Sequence, residues 1–185
     1  MATARLIEPD PPHTRPSRLS HLVLQSRHFA ESVAWYKMVL RAKPMFENKV
    51  VCFLSYDEEH HRVMIANSPG LAPRDPKAAG VVHFAFAMET LDDLVNAYVR
   101  LREAGIVPET SVNHGFTTSL YYRDPDQNEV ELAVDNFETR EEMDAWFATG
   151  AFDRNFFGFR FDPELMAKRH HEGATDREIL EETYR

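Results

Sequence analysis

Between residues 18 and 137 the order of apolar runs repeats once, and a chain patterned this way is constrained to fold as two copies of one small unit. The first copy opens with a strand-like run, His21 to Leu24, after which Phe29, Val33, Tyr36 and Leu40 recur at helical spacing. Two β-rich runs follow, Val50 to Tyr56 and Arg62 to Ala66. The polar segment Asp57 to His61 separates them, and the turn Ser68-Pro69-Gly70 closes them. After the proline- and alanine-rich loop Leu71 to Gly80 the order restarts. Val81 to Ala87 alternates like a strand, and Leu91, Leu94, Val95, Tyr98 and Leu101 mark an amphipathic helix with Gly105 at its C-terminal end. Thr117 to Tyr122 and Val130 to Val134 complete the second copy as strands joined by the turn residues Arg123 to Asn128. Setting His21 on His83 aligns SHLVLQ with VHFAFA and brings HRVMIAN opposite EVELAV.

The flanks are different in kind. Residues 1 to 17 carry Pro9, Pro11, Pro12 and Pro16 and little that packs, so a flexible arm is expected there. Beyond residue 137 the signals are those of helices. Thr139 with Glu142 and Thr175 with Glu178 have capping-box spacing, Asp162-Pro163 suits a helix start, and Gly150 suits a helix end. Phe156, Phe157, Phe159 and Phe161 form an aromatic cluster expected to pack against the outside of the core.

Composition narrows the function. A chain of 185 residues with 43% hydrophobic content closes one core and not two ordinary domains. A formal charge of −9 disfavours nucleic acid, no apolar run suits a membrane span, and the polar N-terminus is unlike a signal peptide. A cytoplasmic protein is therefore expected. With Cys52 the single cysteine, an intramolecular disulfide and a cysteine-cluster zinc site are both excluded, which leaves histidines and carboxylates as metal ligands.

Three such residues fall on strands at matching places in the repeat: His21, His83 and Glu131. Taken singly, a strand histidine is ordinarily a hydrogen-bonded core residue and a strand glutamate ordinarily faces water. Together they form a two-histidine, one-carboxylate set suited to Fe(II) or Mn(II), with open positions for substrate and oxygen. Glu131 lies between Val130 and Leu132, where an unpartnered carboxylate is costly and a cation is the simplest partner.

The stretches SHLVL, VHFAF and YYRDPDQNEVEL resemble the vicinal oxygen chelate superfamily (glyoxalase, bleomycin resistance and dioxygenase proteins), and within it the single-domain type I extradiol catechol dioxygenases. The resemblance implies an α+β fold with two βαβββ modules, residues 18–70 and 80–137. These form an open, barrel-like sheet around a metal, with residues 138–185 as a helical C-terminal extension. It implies His21, His83 and Glu131 as ligands of Fe(II), with Mn(II) as the other ion. His61 takes the place of the family's acid-base histidine, Tyr121 that of the tyrosine bonded to a substrate oxygen, and His114 that of a histidine in a His-Gly loop. Catechol and O2 are the implied substrates, and a homodimer the expected assembly.

Two alternatives accompany it: a Mn(II)-dependent thiol transferase of the fosfomycin-resistance kind, and a metal-free binding protein for an aromatic drug or metabolite. A four-ligand site is disfavoured, because the repeat sets Met64 opposite Glu131 and a thioether is a poor ligand for a hard ion. Where the family has glycine the chain has Gln127, so Asn128 is expected to take any left-handed conformation in that turn. His13, His28, His60, His170 and His171 match no pattern and are expected at the surface.

Overall fold

The computed structural model describes residues 15–185, so most of the expected arm lies outside the described residues. The first module runs β1 (Leu22–Ser26), α1 (Phe29–Leu40), β2 (Lys43–Glu47), β3 (Val51–Ser55) and β4 (Val63–Asn67). The second repeats it as β5 (His83–Ala87), α2 (Leu91–Glu103), β6 (Thr110–Asn113), β7 (Thr117–Arg123) and β8 (Glu129–Asp135). Neither β2 nor β6 shows as an apolar run in the sequence. All five residues of β2 are exposed, and β6 is only four residues long, so neither carries the alternation that marks a half-buried strand.

The fold is α+β with two open sheets, ordered β1-β4-β3-β2 and β5-β8-β7-β6-β9. In each module the first strand pairs in parallel with the last, which requires the crossover that α1 and α2 supply. The pairing register establishes the repeat residue by residue. Val23 lies opposite Met64 and Met64 opposite Phe53, just as Ala85 lies opposite Glu131 and Glu131 opposite Tyr121. Met64 is thus the counterpart of Glu131, as the alignment predicts, and Phe53 is the counterpart of Tyr121. The polar pair belongs to one module alone.

The modules meet through α1 and the β7–β8 turn. Trp35 packs against both apolar clusters, and Val130 of β8 is buried with Tyr36, Leu54 and Ile65 of the first module. The Tyr36 hydroxyl donates to Asp124 at 3.0 Å, and Asp126 accepts from the hydroxyls of Ser26 and Ser32 and from the Arg27 N–H. Asp124 organises its own turn by accepting from the backbone N–H groups of Asp126 and Asn128. In that turn Gln127, and not Asn128, takes the left-handed conformation, with φ 67°. The Asp124 bonds fix the backbone of both neighbours, so the strained dihedral falls on the residue between them.

The C-terminal segment forms α3 (Arg140–Ala148), α4 (Ala151–Arg154), β9 (Phe159–Arg160), α5 (Pro163–His171) and α6 (Asp176–Thr183). Both predicted capping boxes are present, at Thr139/Glu142 and Thr175/Glu178, and Asp162 caps α5. The segment is more than helical, because β9 pairs with β6 and adds a fifth strand to the second sheet. Gly158 makes that approach possible. Its φ is +76°, and a Cβ there would lie 2.5 Å from the Asn113 carbonyl oxygen. Phe161 packs on the core and Phe159 stands edge-on to Tyr184 at 4.9 Å, whereas Phe156 and Phe157 stay exposed.

Candidate active site

His83 is the first residue of β5, and β5 pairs with β8 so that Ala85 is opposite Glu131. Strand alternation puts His83 and Glu131 on one face of the second sheet, where Nε2 of His83 lies 3.0 Å from Oε2 of Glu131. Tyr121, directly across from Glu131 on β7, donates its hydroxyl hydrogen to Oε1 of Glu131 at 3.1 Å. His114, in the loop between β6 and β7, reaches the same hydroxyl with Nε2 at 3.0 Å. The Tyr121 hydrogen is committed to the carboxylate, and the His114 ring, which also hydrogen-bonds the Phe156 backbone, meets the hydroxyl oxygen with Nε2. The four groups form one chain: His114 and Tyr121 are hydrogen-bonded, Tyr121 is hydrogen-bonded to Glu131, and Glu131 lies at ion-pair distance from His83.

The electrostatics follow from burial. Glu131 is 6% exposed, and His83 is the one basic side chain within ion-pair distance of it among the described residues. Burial pushes the Tyr121 phenol up, and the adjacent Glu131 charge and hydrogen bond push it further, so the hydroxyl stays protonated as a donor. Burial lowers His114, which keeps its imidazole neutral.

This pair of donors fits a divalent ion. Ligands about 2.1 Å from a metal and at right angles to each other lie roughly 3 Å apart, the spacing found between His83 and Glu131. The ring of His83 is also backed as a ligand would be, with Nδ1 3.7 Å from Glu129, which Arg123 holds in turn at 2.6 Å.

The other predicted residues gather elsewhere. His21 precedes β1 and His61 precedes β4, and their rings lie 4.2 Å apart between centroids. His61 is 8% exposed and stacks on Phe53 at 4.6 Å, its pKa lowered by burial and by the neighbouring His21 and His60. Among the described residues, the one group of three metal-binding donors mutually within 4.8 Å is His21, His60 and His61. His21, His83 and Glu131 do not form such a group. The six predicted residues therefore divide by module, with His21 and His61 in the first and His83, His114, Tyr121 and Glu131 in the second.

His60 is exposed, as expected, but sequence reasoning missed that it meets His21 and His61. Its turn is tied down, with the Ser55 hydroxyl donating to the Glu59 carbonyl and Arg62 bonded to Asp57. It also missed Trp146. Gly115, at φ +90°, lets the His114 loop pass beneath the Trp146 ring, which a Cβ would strike. The C-terminal segment thereby buttresses the loop that carries His114. A separate cavity of about 340 Å³, lined by residues such as Val39, Tyr56, Phe86, Arg100 and Leu132, contains none of these groups.

The pattern of the Glyoxalase/Bleomycin resistance protein/Dioxygenase superfamily matches residues 18–132. Biphenyl-2,3-diol 1,2-dioxygenase 3 of Rhodococcus globerulus is 43% identical over 164 residues, covering 88% of this chain and 86% of that protein. Biphenyl-2,3-diol 1,2-dioxygenase 2 of the same organism is 44% identical over 154 residues, covering 83% and 81%. The solved glyoxylase/bleomycin resistance protein/dioxygenase domain from Frankia sp. EAN1pec superposes with a TM-score of 0.55 at 23% identity. That match covers 65% of this chain and 99% of that one. No helix among the described residues is long and apolar enough to cross a membrane.

Proposed function

The chain belongs to the Glyoxalase/Bleomycin resistance protein/Dioxygenase superfamily, and on that premise we propose that it is an extradiol dioxygenase using Fe(II) to cleave a catecholic ring with O2. The observation that carries this reading is the chain from His114 through Tyr121 and Glu131 to His83, a buried carboxylate set beside an imidazole at metal-ligand spacing. Two relatives above 40% identity, both named as dioxygenases of a vicinal diol, support the substrate class.

In this reading His83 and Glu131 hold the ion, and His21, the counterpart of His83 in the repeat, is the third ligand. The ion, when bound, supplies positive charge that eases ionisation of a catechol hydroxyl and a template on which diol and dioxygen meet. The work of the chain's own groups can be stated atom by atom. Held neutral by burial, His61 accepts the proton from the second hydroxyl. Tyr121 and His114 lie at the carboxylate edge of the site, and with substrate bound they would turn from their present partners to hydrogen-bond its anionic oxygens. Phe53 fixes the plane of the His61 ring by stacking. Across the reaction both oxygen atoms enter the product, the ring bond beside the two hydroxyls breaks, and a carboxylate and a carbonyl result.

The test is direct. Protein loaded with Fe(II) under anaerobic conditions is given catechol, 3-phenylcatechol or alkyl catechols, then oxygen. A yellow ring-opened product with one oxygen molecule consumed per ring is expected. Bound iron without turnover of any diol would reject the reading.

A further inference from the structure

On the first module His21 and His61, which the proposed chemistry uses, meet His60, which it does not. We propose that these three imidazoles form a second cation site, selective for borderline ions of the zinc class, and that filling it inhibits the enzyme. The inhibition rests on the function proposed above; the site itself does not.

Four observations point to a ligand there. One ring nitrogen from each histidine lies within 4.8 Å of the others. Nδ1 of His60 and Nδ1 of His61 share a hydrogen bond at 2.6 Å, so the two rings already turn nitrogens toward one another. A cation bound there would displace the shared proton and open that contact. Nε2 of His61 is buried without a hydrogen-bond partner, a donor atom that the protein leaves unused. Finally, the rings of His60 and His21 have polar groups beside them. Nε2 of His60 lies 3.6 Å from Glu59, which Arg18 anchors at 2.7 Å, and Nδ1 of His21 lies 3.3 Å from the Ser20 hydroxyl. A carboxylate behind a histidine fixes the tautomer that leaves the inward nitrogen free to ligate.

The donor set decides the ion. Three neutral imidazoles with no anionic oxygen suit Zn(II), Co(II), Ni(II) or Cu(II) at three protein ligands plus water, whereas Mg(II) and Ca(II) require oxygen. The contrast with the second module is one of chemistry as well as place, since His83 is paired there with the carboxylate of Glu131. Occupation of the three-histidine site would draw His21 away from the proposed iron set and tie up the nitrogen of His61 that handles a proton.

Co(II) is the probe, because four-coordinate cobalt absorbs visible light far more strongly than six-coordinate cobalt. The metal-stripped full chain is titrated with Co(II) as wild type, His60→Gln and Glu131→Gln. The intense visible band is expected in wild type and in Glu131→Gln, with at least tenfold weaker binding in His60→Gln. A band that survives in His60→Gln overturns the proposal, as does a wild type without one. Loss in both variants also overturns it, since the ion would then use the His83–Glu131 pair. In the iron-loaded enzyme, the Zn(II) concentration for half inhibition is expected to rise at least tenfold in His60→Gln. If ring cleavage proves not to be the activity, the cobalt titration still stands as the test of the site.

Discussion

Replacing Glu131 by glutamine separates the cost of a buried carboxylate from its use. Glutamine keeps the shape of the side chain, can accept from Tyr121 at Oε1, and can turn its amide nitrogen toward Nε2 of His83, now 3.0 Å from the carboxylate. Removing the charge forfeits its attraction to His83 but also relieves the desolvation of a group 6% exposed, and these terms oppose each other. The metal-free variant should therefore lie within about 1 kcal/mol of wild type, a shift in Tm of roughly 2–4 °C for a chain of this size. Metal binding should fall much further. Exchanging an anionic oxygen for an amide oxygen is expected to weaken the ion by at least about 100-fold, or roughly 2.7 kcal/mol. At Fe(II) about 100 times the wild-type Kd, wild type gains about 2.7 kcal/mol and melts roughly 5–10 °C higher, while the variant gains only about 0.4 kcal/mol. Anaerobic thermal melts with and without Fe(II), together with iron content after gel filtration, read both effects. The same iron-induced rise in the variant would remove Glu131 from the ligand set. A metal-free variant destabilised by more than about 3 kcal/mol would show that the carboxylate is structural.

Three further outcomes follow from the packing. Gly158→Ala should cost at least about 2 kcal/mol and free β9 from β6, because its Cβ would collide with backbone at a left-handed φ; amide hydrogen exchange of Val112 and Asn113 is the measurement. Gln127→Gly should instead stabilise by about 0.5–1 kcal/mol, since the residue already sits at φ 67°, and a lower urea midpoint would refute this. For Asp126, burial alone would raise the carboxyl pKa. The hydrogen bonds from Ser26, the Arg27 N–H and Ser32 outweigh that and hold it below its ordinary value. A depressed carboxylate lends stability above its unfolded pKa and loses it as pH falls through the folded one. Acid unfolding of Asp126→Asn should therefore be shallower than that of wild type below about pH 4, at a cost of roughly 1 kcal/mol at neutral pH.

Much of the fold is legible because a strand's period of two and a helix's of 3.6 are written in side chains that must be buried. The α2 stripe Leu91, Leu94, Val95, Tyr98 and Leu101 is fully recovered as core, and the caps Thr139, Asp162 and Thr175 act as their spacing implies. Legibility ends where burial does. β2 is held by its ladder to β3 alone and β9 by two residues against β6, so neither leaves an apolar trace. The site shows the same boundary. Glu131 is legible from its place between Val130 and Leu132, and Tyr121 only through the resemblance; the register of β7 on β8 sets the two opposite one another. The place of His60 is not legible, because it depends on a turn built by Ser55, Asp57 and Arg62, a set of contacts with no period.

The register carries one more consequence. A duplicated framework offers each half the same three stations, yet they hold His21, Phe53 and Met64 in the first module and His83, Tyr121 and Glu131 in the second. If Glu131 holds an ion as proposed, a second glutamate at position 64 would bring another buried carboxylate toward it, and like charges at one site oppose each other's ionisation. Methionine avoids that cost and is a poor ligand for a hard cation, which would leave positions open for substrate and dioxygen. Phe53 in turn gives up the hydrogen bond that Tyr121 makes and offers a flat face, on which His61 stacks. In the proposed reading the first module would supply proton handling and vacancy, the second charge and donors. A single metal centre would then draw on two halves that differ in these side chains and are alike in the strands that hold them.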